Sequence, residues 1–103
     1  MNFIYEDHKI YVKNEIGIVI VNATFPFIEE GVVVVDHTFV DPTLRGQGIA
    51  SLLMHEVYKH AKAKGYKVVA TCPYAVAWFK KHKEQNDIID EAVQAKLAPE
   101  CQI

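Results

Sequence analysis

The sequence predicts an α/β fold: a mixed, mostly antiparallel sheet with one parallel strand-helix-strand crossover and flanking helices. Three observations carry that prediction. A β-branched run from Val32 ends at Pro42, and a few residues later an apolar stripe of helical period begins, which Gly65 closes ahead of a second β-branched run. The segments before Val32 are joined by connections too short for anything but hairpins. A strand, a helix and a strand in this order make a right-handed parallel crossover.

Taken in order, residues 3–5 and 10–13 read as short strands around the polar turn Glu6–Lys9, and Ile16–Val21 as a β-branched strand. Ala23–Gly31, with Pro26 and the pair Glu29–Glu30, reads as a turn into one long strand, Val32–Val40. Its first half, Val32–Val35, is continuously apolar and predicts burial on both faces. Period two places Val33, Val35, His37 and Phe39 on one face and Val34, Asp36, Thr38 and Val40 on the other. From Gly48 to Lys64 the pattern is helical, with Ile49, Leu52, Leu53, Val57 and Ala61 on one stripe. Glu56 and His60 stand four apart, and Lys62 and Lys64 suit the negative carboxyl end of the helix. Tyr66–Thr71 reads as a strand. Helices follow over about Ala75–Lys83, with Pro73 near the first turn, and over about Asp87–Leu97.

Half of the 103 residues are hydrophobic, which predicts a single small domain over residues 1–103 and excludes a two-domain enzyme or a repeat array. The net charge of −2 and a pI near 6.2 give no electrostatic footprint for duplex nucleic acid. Cys72 and Cys101 could form only one bridge, so reduced thiols are expected. Glu6 and Asp7 arrive before a signal-peptide core could form, and no apolar run approaches the roughly 18–20 residues of a membrane span. A cytoplasmic protein, monomer or weak dimer, is the expectation. His8, His55, His60 and His82 match no metal-ligand spacing.

The informative junction is Asp41-Pro42-Thr43-Leu44-Arg45-Gly46-Gln47-Gly48-Ile49-Ala50, a strand end, a polar loop and a helix start. A helix leaves its first four N–H groups without internal partners, and its dipole makes that end positive, so an anion such as a pyrophosphate fits there. Gly46 and Gly48 allow close approach and positive φ, and the small Ala50 keeps the first turn tight. Spacing alone leaves a second reading open, an ordinary loop in which glycine caps the helix. The Walker loop requires G-K-[ST], which is absent, and the dinucleotide fingerprint would need glycine where Ser51 stands.

Arg45-Gly46-Gln47-Gly48-Ile49-Ala50 resembles the R/Q-x-x-G-x-G/A signature of the GNAT superfamily of acetyl-CoA-dependent N-acetyltransferases. With His37-Thr38 and Cys72-Pro73-Tyr74 in this order, the chain resembles the minimal, single-domain GNAT-like family, over roughly Val32–His82. The resemblance implies a GNAT-like fold in which the backbone N–H groups of Arg45, Gly46, Gln47, Gly48, Ile49 and Ala50 hold the coenzyme A pyrophosphate. It also implies that the backbone of Phe39 and Val40 pairs with the pantetheine arm where the two parallel strands splay. Lys80, Lys81 or Lys83 could reach the nucleotide's extra phosphate, or simply form a solvated helix face. One departure stands out: larger relatives carry a tyrosine acid in the helix after the last core strand, and the matching position here is Phe79. Another is that only Ala23–Glu30 is left to shape an acceptor pocket, so the amine acceptor cannot be read from the residues.

Acetyl transfer requires a neutral amine, and an ammonium of pKa about 10.4 is deprotonated in only about one molecule in 10³ at pH 7, a deficit of about 4–5 kcal/mol. His37, in mid-strand beside the expected cleft, is the candidate base, with a hydrogen-bonded buried histidine as the alternative. Cys72, before a helix start that favours a thiolate, could be a nucleophile, a neighbour of the thioester, or a small buried hydrophobe. Tyr74 could supply the missing acid or be a packed aromatic. Two functions follow: an acetyl-CoA-dependent transferase acting on an amine, or a coenzyme A-binding module without turnover.

Overall fold

The computed structural model describes residues 1–100 and 103. Strands β1 (Ile4–Glu6), β2 (Lys9–Lys13) and β3 (Val19–Thr24) form an antiparallel meander. β4 (Phe27–Glu29) turns back antiparallel into β5 (Val32–Val35), and β6 (His37–Val40) returns along β3. α1 (Ile49–Lys64) crosses over to β7 (Lys67–Ala70), which pairs parallel to β5. α2 (Pro73–Lys81) and α3 (Glu91–Leu97) follow, with 3-10 turns at Pro42–Leu44 and Lys83–Ile88. The strand orders are β1-β2-β3-β6 and β4-β5-β7, so the sheets are mostly antiparallel with the one parallel crossover.

The expected long strand is broken at Asp36. Phe27 faces Val33 and Thr24 faces His37, so the chain takes four steps from Val33 to His37 against three from Thr24 to Phe27. The surplus residue is a β-bulge at Asp36, whose N–H still reaches the Thr24 carbonyl at 3.4 Å. An extra residue reverses the faces of all that follows. Val33 and Val35 are joined in the main core not by His37 and Phe39 but by Val40, while Val32 and Val34 pack with Val69 against Val93 of α3. The strict alternation expected along Val32–Val40 therefore fails beyond Val35.

Other elements shift for local reasons. β3 begins at Val19 rather than Ile16, because the Asn14 side chain accepts hydrogen bonds from the N–H groups of Ile16 and Ile18 and folds them into the hairpin loop. The expected turn Ala23–Gly31 is mostly strand: Pro26, which has no N–H to give, accepts from Val34 at 2.9 Å, and only Glu30–Gly31 turns. In α1 the buried stripe is Ile49, Leu53, Met54, Val57 and Ala61, whereas Leu52 lies on the exposed flank. Gly65 closes this helix, its N–H donating to the carbonyls of Ala61 and Lys62. α2 starts at Pro73, two residues before the expected Ala75. α3 starts at Glu91 rather than Asp87, because Asp87 is held by Lys62 and Tyr58 of α1, and Asp90 caps the helix instead by accepting from Val93 N–H at 3.0 Å.

The free edge of β7 is closed without a full strand. Asp90 N–H donates to the Val68 carbonyl, and the buried Gln94 amide imitates a peptide, accepting from Ala70 N–H at 2.7 Å and donating to its carbonyl at 2.8 Å. Among the described residues no helix is long and apolar enough to cross a membrane.

Candidate functional site: a helix start beside a strand gap

The polar loop after β6 is held by its own side chains. Asp41 caps the 3-10 turn by accepting from Thr43 N–H at 2.9 Å and Thr43 Oγ1 at 2.7 Å. The Thr43 hydroxyl, then its amide, hold the Asp41 carboxyl below its ordinary value. Arg45 Nε donates back to the Val40 carbonyl at 3.2 Å. Gly46 and Gly48 have φ of +83° and +74°, and a Cβ at either would meet no neighbouring atom. Left-handed backbone, not crowding, is what requires glycine there.

Gly48 is the N-cap of α1. It offers no side-chain oxygen, and the first turn carries no acidic residue. The positive helix end and its N–H groups are thus left to an external acceptor. A small cavity of about 130 Å³ opens at this end, lined by Val40, Arg45, Gly46, Gly48, Ala50 and Tyr74 among others. Gln47 is exposed and outside the lining, and the buried Ile49 is part of it.

The strand gap adjoins the loop. β5 and β7 pair as far as Val35 and Ala70; the Val35 carbonyl then accepts from both Thr71 and Cys72 N–H at 3.1 Å, and the chains part. β6 follows β3 away while Cys72 turns into α2. Asp41 N–H pairs with the Ile20 carbonyl, so ladder alternation turns the backbone groups of His37 and Phe39 toward β3 and those of Thr38 and Val40 toward the open side.

Cys72 is 9% exposed, and its Sγ lies 3.3 Å from Thr38 Oγ1. Tyr74 lines the loop cavity, and partial burial raises its hydroxyl above the ordinary tyrosine value. His37 is exposed on the face opposite Thr38, next to Asp36, whose carboxylate accepts from Thr24 Oγ1 at 2.6 Å. The structure thus brings Tyr74 to the Arg45–Ala50 loop and Cys72 to the gap, and sets His37 on the other side of the sheet. Phe79 is fully buried against Trp78, which ties α2 to the first turn of α1 through Trp78 Nε1 and Ser51 Oγ at 2.9 Å. Lys80, Lys81 and Lys83 are exposed. Cys101 lies outside the described residues, and among those described no His, Cys, Asp and Glu cluster could hold a metal ion.

Thr38 is the site residue that sequence reasoning passed over as a side chain. Only the polar pair Asp36-His37, interrupting an apolar strand, marks the place of the bulge that brings Thr38 to the gap, and no glycine or proline announces it.

The family model for GCN5-related N-acetyl-transferases matches residues 9–88. No curated protein matches the chain. A GCN5-like N-acetyltransferase from Staphylococcus aureus, solved by NMR, is 25% identical with a TM-score of 0.72, over 85% of this chain and 86% of that one. An acetyltransferase from Bacillus cereus ATCC 14579 is 30% identical with a TM-score of 0.59, over 72% of this chain and 54% of that one. A protein assigned as a phosphinothricin N-acetyltransferase, 21% identical with a TM-score of 0.58 over 76% of this chain and 53% of that one, shares the fold. The chain therefore spans about half the length of these last two. With the family model covering most of its length and the glycine loop, helix start and strand gap in place, the chain belongs to the GCN5-related N-acetyltransferase family.

Proposed function

We propose that this protein is an acetyl-CoA-dependent N-acetyltransferase that moves an acetyl group to an amine. The observation that carries this reading is the start of α1: uncapped, free of acidic side chains, preceded by two left-handed glycines, and placed beside the gap between β6 and β7. These features fit a diphosphate. The N–H groups from Gly46 to Ala50 bind it, the Arg45 N–H being taken by the Pro42 carbonyl at 3.3 Å, and the outward-facing N–H and C=O of Thr38, in place of the expected Phe39, bind the amide-bearing arm as an added strand together with the Val40 N–H. Asp41 stands close by, but its carboxylate is engaged by Thr43.

Acetyl-CoA, when bound, supplies an activated thioester. Around it the chain's own groups divide the work. Tyr74, protonated at neutral pH, gives its proton to the leaving sulfur. An amine entering from the face opposite Cys72 meets the exposed His37, which takes its proton, and Cys72 stands at the gap beside the acyl group. Buried Phe79 has no proton to give, and Tyr74 is the tyrosine that lines the cavity at the helix start.

The test is release of free thiol from acetyl-CoA with a broad panel of amines and proteins, in the parent, His37→Ala, Cys72→Ala and Tyr74→Phe. The reading expects turnover in the parent and a loss of about 10²–10⁴-fold in a variant that removes an acid or a base. Undiminished turnover in all three variants overturns the site assignment. Acetyl-CoA binding without turnover across the panel would identify a binding module instead.

A further inference from the structure

The bulge at Asp36 decides which polar side chain of β6 meets α2. Strict alternation from Val33 and Val35 would aim residue 37 at the core face; the surplus residue sends His37 to the other face and aims Thr38 at Cys72. Thr38 Oγ1 and Cys72 Sγ lie 3.3 Å apart. Neither residue makes another side-chain hydrogen bond among the described residues, and the rest of the sulfur's surroundings are the apolar core. The Cys72 N–H is bound by the Val35 carbonyl. Main chain and side chain of Cys72 are thus tied to the two sides of one bulge, Val35 before it and Thr38 after it. A cysteine has a single side-chain torsion with three staggered wells, so one hydrogen bond suffices to select a well.

We propose that Thr38 is a positioning residue: its hydroxyl hydrogen-bonds the Cys72 sulfur and holds it in the one rotamer that faces the gap between β6 and β7. The bulge exists on this account to present a hydroxyl there. The consequence for turnover rests on the acetyl-transfer reading above; the hydrogen bond and the rotamer do not.

The S–H stretching band of Cys72, read by Raman spectroscopy in a Cys101→Ser background, reports the thiol's rotamer whichever of the two groups donates, and its own hydrogen bond when the thiol is the donor. Thr38→Val keeps the side-chain shape and removes the hydroxyl, and Thr38→Ser keeps the hydroxyl. The band is expected to move and broaden in Thr38→Val and to return to the parent position in Thr38→Ser. An unchanged band in Thr38→Val overturns the proposal. If the valine variant does not fold, Thr38→Ala replaces it, with the same two outcomes. In the thiol-release assay, Thr38→Val is expected to lower kcat about tenfold and to leave the KM for acetyl-CoA within about twofold, with Thr38→Ser recovering the parent rate. An unaltered kcat, or a loss confined to KM, overturns the positioning role. Absence of turnover in the parent refutes the acetyl-transfer reading instead, and the band then decides the proposal alone.

Discussion

Gly48 holds φ of +74° at the point where α1 begins, a conformation that costs an L-residue about 1–2 kcal/mol. Gly48→Ala is therefore expected to lower the melting temperature by about 4–8 °C per kcal/mol lost and to weaken acetyl-CoA binding, since the alanine backbone relaxes by turning the loop's N–H groups away. An unchanged melting temperature and affinity would show that the left-handed turn is not required. Asp41 makes a second residue-level prediction. Its carboxyl is held below the ordinary value of 3.8 by the Thr43 hydroxyl, so the charged form is the one that makes the bond. The cap is complete above that value and is lost as pH falls through the lowered one. The Thr43 amide resonance should titrate below pH 3.8 and lose that titration in Asp41→Asn; a midpoint above 3.8 in the parent would contradict the cap.

Two ties between elements carry predictions of their own. The Gln94 side chain satisfies both backbone groups of Ala70 on the edge of β7, and Gln94→Leu strands a buried donor and acceptor. The expected cost is about 2–4 kcal/mol in urea unfolding; a loss below about 1 kcal/mol would mean that water replaces the amide. Tyr5 of β1 donates to Glu56 of α1, and that hydrogen bond pushes its hydroxyl up to about 12. Neutral Tyr5 makes the bond, so the tie is whole below the ordinary value of 10 and is lost as pH rises through about 12. Phenolate absorbance should show a tyrosine ionising at about 12, later than Tyr11 and Tyr74, which are also raised, and Glu56→Gln should return that one to the ordinary range. A parent titration unaltered by Glu56→Gln would contradict the tie. At this scale the sequence was legible where backbone chemistry marks the ends, as in α1 between Gly48 and Gly65. It was not legible where side chains replace backbone partners. Asn14 folds Ile16 and Ile18 into a loop, Gln94 closes a strand edge, and the surplus residue at Asp36 carries no glycine or proline to announce it.

Across the whole molecule, one arrangement unites loop, gap and helix. The crossover from β5 through β6 and α1 to β7 places the positive, uncapped start of α1 at the end of the strand that leaves the sheet, so a helix start with free N–H groups and an open strand edge come together. The turn and helix start at Arg45–Ala50 were readable because two glycines permit left-handed backbone, while its use as an anion site was carried by the resemblance to the GNAT signature, spacing alone leaving an ordinary capped loop open. The face on which His37 lies was not readable, because it depends on a bulge. The acetyltransferase from Bacillus cereus and the protein assigned as a phosphinothricin N-acetyltransferase, of which this chain spans about half, share its fold. The most direct measurement of the central claim is calorimetric titration of the parent and Gly48→Ala with acetyl-CoA. The account expects saturable binding of one equivalent, weakened in the variant. No heat of binding in the parent at millimolar acetyl-CoA would contradict it.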